Sequence, residues 1–503
     1  MSHSCRHLAL ALVVALVLLG APPAGHGPAT DASVRQPPAA AREGRPPNIL
    51  FIIADDWSHP HAGVYGDPVV RTPAFDRVAR EGALFAHAYV AAPSCTPSRA
   101  AILTGQAVHR LAEGANLWGF LPARFEVYPD LLERAGYHVG FTGKGWGPGR
   151  FEAGGRTRNP AGPRFDSFDD FLAKRAKGQP FSFWFGSTDP HRPYEAGAAA
   201  RAGLSGGRVV VPPFLPDTPE VRDDLLDYYF EVQRFDSQVA HLLETLDRLG
   251  EADDTLVVVT SDNGMPFPRA KANLYDSGTR MPLAIRWPRA VRAGARVDAF
   301  VSLTDLAPTF LEAARVQAPA ATTGRSLLPL LQAPGTADGR DHVFLERERH
   351  ANVRRGDLSY PARAVRTADY LYIRNYRPDR WPAGDPEIHV AVGPYGDIDG
   401  GAAKEVLLGR RADPAVSHFF ELATARRPAE ELFDLRKDPA QLTNLAGQAS
   451  YAEARDRLKM TLEAWQRETG DPRLLADDDR WDSYPYFGGP ASPKPQPPAP
   501  SRF

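Results

Sequence analysis

Apolar residues along this chain fall into short runs that end abruptly in polar clusters, with amphipathic stretches of helical period between them. "NILFIIADD" reads as a buried strand that runs straight into Asp55 and Asp56. "TPAFDRVAREG" predicts a helix ending at Gly82, and "PSRAAILTG" predicts a helix whose first turn follows Cys95. "PDLLERAG" followed by "YHVGFTGKG" is helix then strand, and "PFSFWFGSTDPHRPY" is a strand ending in a polar loop. "VRDDLLDYYFEVQRFDSQVAHLLETLDRLG" is a long helix, and "DTLVVVTSDNG" is another strand with a polar end. This alternation predicts a mostly parallel sheet covered by helices on both faces. In open sheets of that kind ligands bind beyond the carboxyl ends of the strands. Asp55, Asp56, Lys144, Asp189, His191, Asp262 and Asn263 all follow such ends.

The pattern changes around residue 340, where "SYPARAVRTADYLYIRNY" predicts two short strands and "RDRLKMTLEAWQRETGDP" a closing helix. The expected organisation is a signal peptide over 1–25, a linker over 26–46, a large domain over 47–340, a C-terminal subdomain over 341–472 and a Pro-rich tail over 473–503. The signal peptide rests on "MSHSCRHLALALVVALVLLGAPPAGHG", which sets Arg6 and His7 before an apolar run and small residues after it. That run is short for a membrane span, although an uncleaved anchor is the alternative. Cleavage makes the protein periplasmic or secreted, with no stable membrane association.

Composition narrows the function classes. With 503 residues, 43% hydrophobic and 24% charged, the chain can bury a large core, and a formal net charge of -2 gives no global attraction to nucleic acid. Of two cysteines, Cys5 leaves with the signal peptide, so the exported protein keeps Cys95 alone and forms no internal disulfide.

Asp55, Asp56, Asp262 and Asn263 offer only oxygen ligands, which suits one hard divalent cation, calcium or magnesium. Each of "DD" and "DNG" is also an ordinary turn sequence, but together at two strand ends they favour a metal. Cys95 fits neither a thiol nucleophile paired with histidine nor a thiol packed among apolar neighbours. Its neighbours Ser94, Thr96, Ser98 and Arg99 are polar, and Arg99 lies one helical turn further on, facing the same site.

"SCTPSRAAILTG" carries a Cys-x-Pro-Ser-Arg signature, and "PNILFIIADD", "TGKGWGP" and "VVVTSDNG" accompany it in order. In these segments the chain resembles the type I sulfatases over roughly residues 47 to 470. The resemblance implies an alkaline-phosphatase-like α/β sandwich with a smaller C-terminal α+β subdomain that holds a short antiparallel sheet. It also implies oxidation of Cys95 to formylglycine by a maturation enzyme. A hydrated aldehyde can attack the sulfur of a sulfate group, and loss of its second hydroxyl proton then expels sulfate, a route closed to serine. By the same resemblance Asp55, Asp56, Asp262 and Asn263 match the metal ligands and Arg99 the residue that holds the nucleophile's charge. Lys144 and Lys271 match the sulfate clamp, and His191 matches the acid for the leaving group.

Many relatives carry a histidine where this chain has Trp146. His109, His59 and His61 are candidate replacements, while Trp146 itself offers an apolar wall for a sugar ring or simply packs in the core. "TSDNGMPFPRAKANLYDSGT", "FLPDTPEVRDDL", "DLAPTFLE", "TGRSLLPLL" and "LSYPARAVRTADYLYIRN" resemble the sulfamidase branch, which cleaves the N-sulfate of terminal glucosamine. Lys271 stands where the animal sulfamidase has arginine. The run "LERERHANVRRGD" offers Glu346, Arg347 and His350 as substrate contacts, or else forms a solvated charged loop. Three expectations result: an exo-acting sulfamidase on heparin or heparan fragments, an O-sulfatase on another sulfated glycan, and a sulfated-glycan binding protein without turnover.

Overall fold

Strand β1 (Asn48–Ala54) is buried at all seven positions, and its residues divide by parity between two separate apolar layers. Ile49, Phe51 and Ile53 join one layer with Ala100, Leu103, Leu132 and Phe310, while Leu50 and Ile52 join the other with Phe75, Val78, Leu225 and Val232. A strand whose successive side chains point to opposite faces needs apolar residues throughout when helices cover both, and that is why no polar alternation marks this segment. The computed structural model describes residues 45–333, 339–387, 393–476 and 478–489. The expected signal peptide lies outside them, and no helix among them is long and apolar enough to cross a membrane.

The remaining strands are β2 (Ala83–Tyr89), β3 (His138–Gly143), β4 (Phe181–Gly186), β5 (Thr255–Ser261), β6 (Arg280–Met281), β7 (Ala284–Arg286) and β8 (Ala295–Ser302). They form an eight-stranded sheet in the order β3-β4-β1-β5-β7-β2-β6, with β8 beside β2. The block β3-β4-β1-β5 is parallel throughout, as is the β2–β8 pair, whereas β6 and β7 run antiparallel to their neighbours, so the sheet is mixed. All the strand ends singled out above belong to the parallel block and emerge along one edge of the sheet.

A second sheet holds β9 (His342–Arg347), β10 (Ala362–Thr367), β11 (Tyr370–Asn375) and β12 (Glu430–Asp434), antiparallel in the order β12-β11-β10-β9. Leu345, Ala364, Leu371 and Ile373 pack against Tyr89, Tyr275 and Phe300 of the main body. The opposite face, through Val365, Tyr372 and Leu432, takes Leu458 and Leu462 of the helix Ala452–Thr469.

The Pro-rich tail was expected from residue 473, but the chain remains built in well beyond it. Short helices span Pro472–Leu475 and Arg480–Ser483, Arg473 pairs with Glu348 at 2.6 Å, and Trp481 is fully buried between the Arg363 and Arg473 guanidinium groups. The charge-rich wording of this stretch conceals one anchoring aromatic. Trp481→Ala is expected to cost about 3–5 kcal/mol in urea unfolding, and a loss under about 1 kcal/mol would return the segment to the tail.

Candidate active site

Four parallel strands deliver their polar ends side by side: Lys144 after β3, His191 after β4, Asp55 and Asp56 after β1, and Asp262 with Asn263 after β5. Adjacent residues in an extended strand would point to opposite faces. Asp56 instead adopts a left-handed backbone (φ 77°), so the chain turns where the two carboxylates sit. The end of β3 folds tightly over β4, since a Cβ on Gly186 would stand 1.8 Å from the carbonyl oxygen of Lys144. Only glycine allows that approach, which brings Lys144 to the carboxylates.

Cys95 opens the helix Cys95–Thr104, and its thiol donates to Asp55 Oδ1 at 3.4 Å. Arg99, one turn on and fully buried, donates through Nε to Asp262 Oδ2 at 2.7 Å and reaches the carbonyl oxygens of Lys144 and Gly145 at 2.8 and 3.0 Å. Lys144 Nζ donates to Asp55 Oδ2 at 2.5 Å. Lys271 Nζ bridges Asp56 Oδ2 at 2.7 Å and Asp399 Oδ2 at 3.2 Å. Asn263 Nδ2 donates to Asp56 Oδ1 at 2.6 Å. His191 donates Nδ1–H to the Arg192 carbonyl at 2.5 Å, because a carbonyl can only accept, and this leaves Nε2 facing Asp56 Oδ2 at 3.9 Å.

The electrostatics follow from burial and pairing. Burial pushes the Asp55 carboxyl up, but Lys144 and Arg99 together outweigh it and hold it well below the usual carboxylate range. Asp262 has Arg99 as a partner yet is pushed up to about 6 by burial, with the charge of Asp55 adding to the shift. Burial likewise raises the Cys95 thiol well above its ordinary value despite Lys144 nearby. Burial lowers Lys271, but Asp399 and Asp56 reverse this and keep it firmly protonated.

The donor set suits a hard cation. Ligand atoms of Asp55, Asp56, Cys95 and Asp262 lie within 4.8 Å of one another, and Asn263 Oδ1 is buried with no hydrogen-bond partner among the described residues.

The other expected contacts are sorted differently. His109 Nδ1 pairs with Glu346 Oε2 at 2.7 Å, while the backbone N–H groups of Val108 and His109 donate to the same carboxylate at 2.8 and 3.0 Å. Both groups are therefore engaged with each other, and neither contacts the acidic cluster; their reading as substrate contacts gives way to a structural one. Trp146 is 4% exposed within the main apolar layer, so it packs in the core and presents no open face to a sugar. His61 pairs with Asp67 at 3.0 Å and His59 stacks edge-on against Tyr65, so neither replaces the missing histidine. Arg347 is buried on Asp397 at 2.7 Å. His350 does reach the site's surroundings: its Nδ1 lies 2.8 Å from Ser94 Oγ, next to Cys95, and burial lowers it to about 4, leaving it neutral. Asp399 was not singled out in the sequence, because "GDIDGG" reads as a turn and only long-range packing brings it to Lys271.

A carboxylate cluster at the carboxyl edge of a parallel sheet, with a helix-start cysteine and two lysines around it, suits a hydrolase with an alkaline-phosphatase-like fold. Residues 47–148 and 163–316 match the family described as sulfatase, and residues 269–387 match the family described as N-sulphoglucosamine sulphohydrolase, C-terminal. The human N-sulphoglucosamine sulphohydrolase is 31% identical, with 86% of this chain and 92% of that protein covered. An ulvan-active sulfatase of Formosa agariphila is 28% identical, covering 84% of this chain and 81% of its own. Among solved structures, one in complex with its substrate D-glucosamine-2-N,6-O-disulfate superposes with a TM-score of 0.61 at 22% identity, over 86% of this chain and all of that one. The chain belongs to the sulfatase family.

Proposed function

We propose that this protein is an exported, formylglycine-dependent exo-sulfatase that removes the N-sulfate of terminal glucosamine in heparin or heparan fragments. The observation that carries the reading is the match of residues 269–387 to the N-sulphoglucosamine sulphohydrolase C-terminal family, since that stretch contains Lys271 and His350, both at or beside the acidic cluster. The signal peptide sends the chain to the periplasm or outside, and a maturation enzyme converts Cys95. Formylglycine at position 95 would supply a hydrated aldehyde as nucleophile and a route to sulfate release. Asp55, Asp56, Asp262 and Asn263 would hold one divalent cation, which would polarise the sulfo oxygens and the attacking hydroxyl. Three of these ligands are fully buried and Asp55 is 2% exposed, which favours calcium over a magnesium ion that keeps its waters.

The chain's own groups divide the remaining work. Arg99 compensates charge on the nucleophile side, and Lys144 and Lys271 each have ammonium hydrogens left to grip sulfo oxygens as charge builds up. His191, acting as the imidazolium with Nδ1–H fixed on a carbonyl, gives its second proton from Nε2 to the departing nitrogen and is left neutral. An amine leaves poorly without that proton, whereas a nitrophenolate does not need it. His191→Ala is therefore expected to lose about 10²–10⁴-fold in kcat on N-sulfoglucosamine and far less on 4-nitrophenyl sulfate. Equal losses on both would remove His191 from the acid role.

The similarity to an ulvan-active sulfatase supports a second reading, an O-sulfatase on another glycan. Sulfate release from matched N-sulfated and 6-O-sulfated glucosamine saccharides, with Cys95→Ala as control, separates the two. Release from the N-sulfated members alone upholds the first reading. Release from O-sulfated members alone upholds the second, and release from none points to a binding protein.

A further inference from the structure

The site is closed to solvent except at three groups. The side chains of Asp55, Asp56, Arg99, Asp262 and Lys271 are at most 5% exposed, whereas those of Lys144, Asp399 and His191 are 19%, 27% and 37% exposed. The way in therefore runs between these three. Lys144 and His191 suit an incoming sulfo group and its leaving atom. Asp399 does not, because a carboxylate at the mouth of an anion pocket repels the group that must pass it. It shares the Lys271 ammonium with Asp56, which lies nearer at 2.7 Å against 3.2 Å, and its other oxygen is left to meet the substrate.

The loop that carries Asp399 is held firmly. Asp397, two residues before it, pairs with Arg347 at 2.7 Å and Arg354 at 2.6 Å. The carbonyl of Ile398 accepts from Lys404 Nζ at 2.7 Å. A Cβ on Gly401 would come within 2.3 Å of Arg192 Nη1, so the loop lies flush against the residue that follows His191. A carboxylate held there can only accept hydrogen bonds, and the part of the substrate that stays at the mouth is the sugar ring. At the non-reducing end of a chain, carbon 1 of an N-sulfated glucosamine is in glycosidic linkage. Its 3-hydroxyl is then the one donor on a carbon adjoining the sulfated position.

We propose that Asp399 is a specificity-determining residue that accepts a hydrogen bond from the 3-hydroxyl of the terminal N-sulfated glucosamine. The inference rests on the N-sulfate reading above. A charged hydrogen bond of this kind is worth about 30-fold in kcat/KM. The test is a cycle of the methyl glycoside of N-sulfoglucosamine and its 3-deoxy analogue against wild type, Asp399→Ala and Asp399→Asn, with 4-nitrophenyl sulfate as a substrate lacking ring hydroxyls. Removing the hydroxyl is expected to cost wild type about 30-fold and Asp399→Ala less than about 3-fold, with Asp399→Asn between them. If removing the hydroxyl costs the two proteins equally, while the aryl sulfate rate falls in parallel with the sugar rate, Asp399 merely positions Lys271 and the proposal is overturned. A wild type that hydrolyses N-sulfoglucosamine but ignores the 3-hydroxyl overturns this proposal alone. A wild type that hydrolyses only the aryl sulfate overturns it together with the N-sulfate reading.

Discussion

Cys95→Ala is expected to lower sulfate release by at least about 10⁴-fold, while folding stability changes by no more than about 1 kcal/mol. The thiol is 2% exposed and burial holds it protonated, so an unmodified cysteine at this position is a poor nucleophile even with Lys144 nearby. On the proposed reading, conversion of the side chain gives the position its reactivity. Cys95→Ser separates attack from release: its hydroxyl can accept the sulfo group but has no second hydroxyl to expel it. Intact-mass analysis after incubation with substrate should show the serine variant carrying one sulfo group and releasing no sulfate beyond the first turnover. Sustained turnover by Cys95→Ser would eliminate the formylglycine route, and an unmodified thiol in fully active protein would do the same.

Removal of the cation is expected to cost about 10³-fold in turnover, restored by adding calcium. The same treatment exposes the strain within the cluster. Burial raises Asp262 to about 6 against an ordinary 3.8, so its charge destabilises the cation-free fold. The sign follows from linkage: the native state binds the proton more tightly than the unfolded chain does. The deficit is absent below pH 4, grows between pH 4 and 6, and is constant above. Asp262→Asn, measured in chelator, should therefore be more stable than wild type at pH 7.5, with the difference vanishing near pH 4. Calcium should reverse the order, because only wild type gains binding free energy. A variant less stable than wild type in chelator at pH 7.5 would show that the Arg99 ion pair outweighs burial.

Much of this site was legible because its residues end strands. A buried parallel strand is a continuous apolar run, so the first polar residues after β1 and β5 announce themselves as Asp55, Asp56, Asp262 and Asn263. Arg99 was legible from helical spacing alone, four residues after Cys95. The antiparallel members of the large sheet were not, because Arg280–Met281 and Ala284–Arg286 are too short to show any period. His109 and Glu346 looked available for substrate because each is polar and near a motif, yet 237 positions of chain separate two groups that pair with each other. Trp146 looked like a substitution at the site, but its indole lies in the apolar layer.

The sequence by itself determined the layered α/β class, the strand-end carboxylates, the cysteine with its arginine and the chemistry these residues imply. The class, the strand ends and the cysteine–arginine spacing rest on local pattern, where apolar period and residue type suffice, while the chemistry came from the resemblance of those motifs to the type I sulfatases. Only the tertiary structure decided which polar groups share the pocket and which are spent on one another. It also decided that residues 478–489 are built into the body, that Trp146 packs, and that Asp399 stands at the pocket mouth beside Lys271 and His191. Those outcomes depend on which distant segments meet, and burial and charge pairing across such contacts leave no periodic trace in the chain.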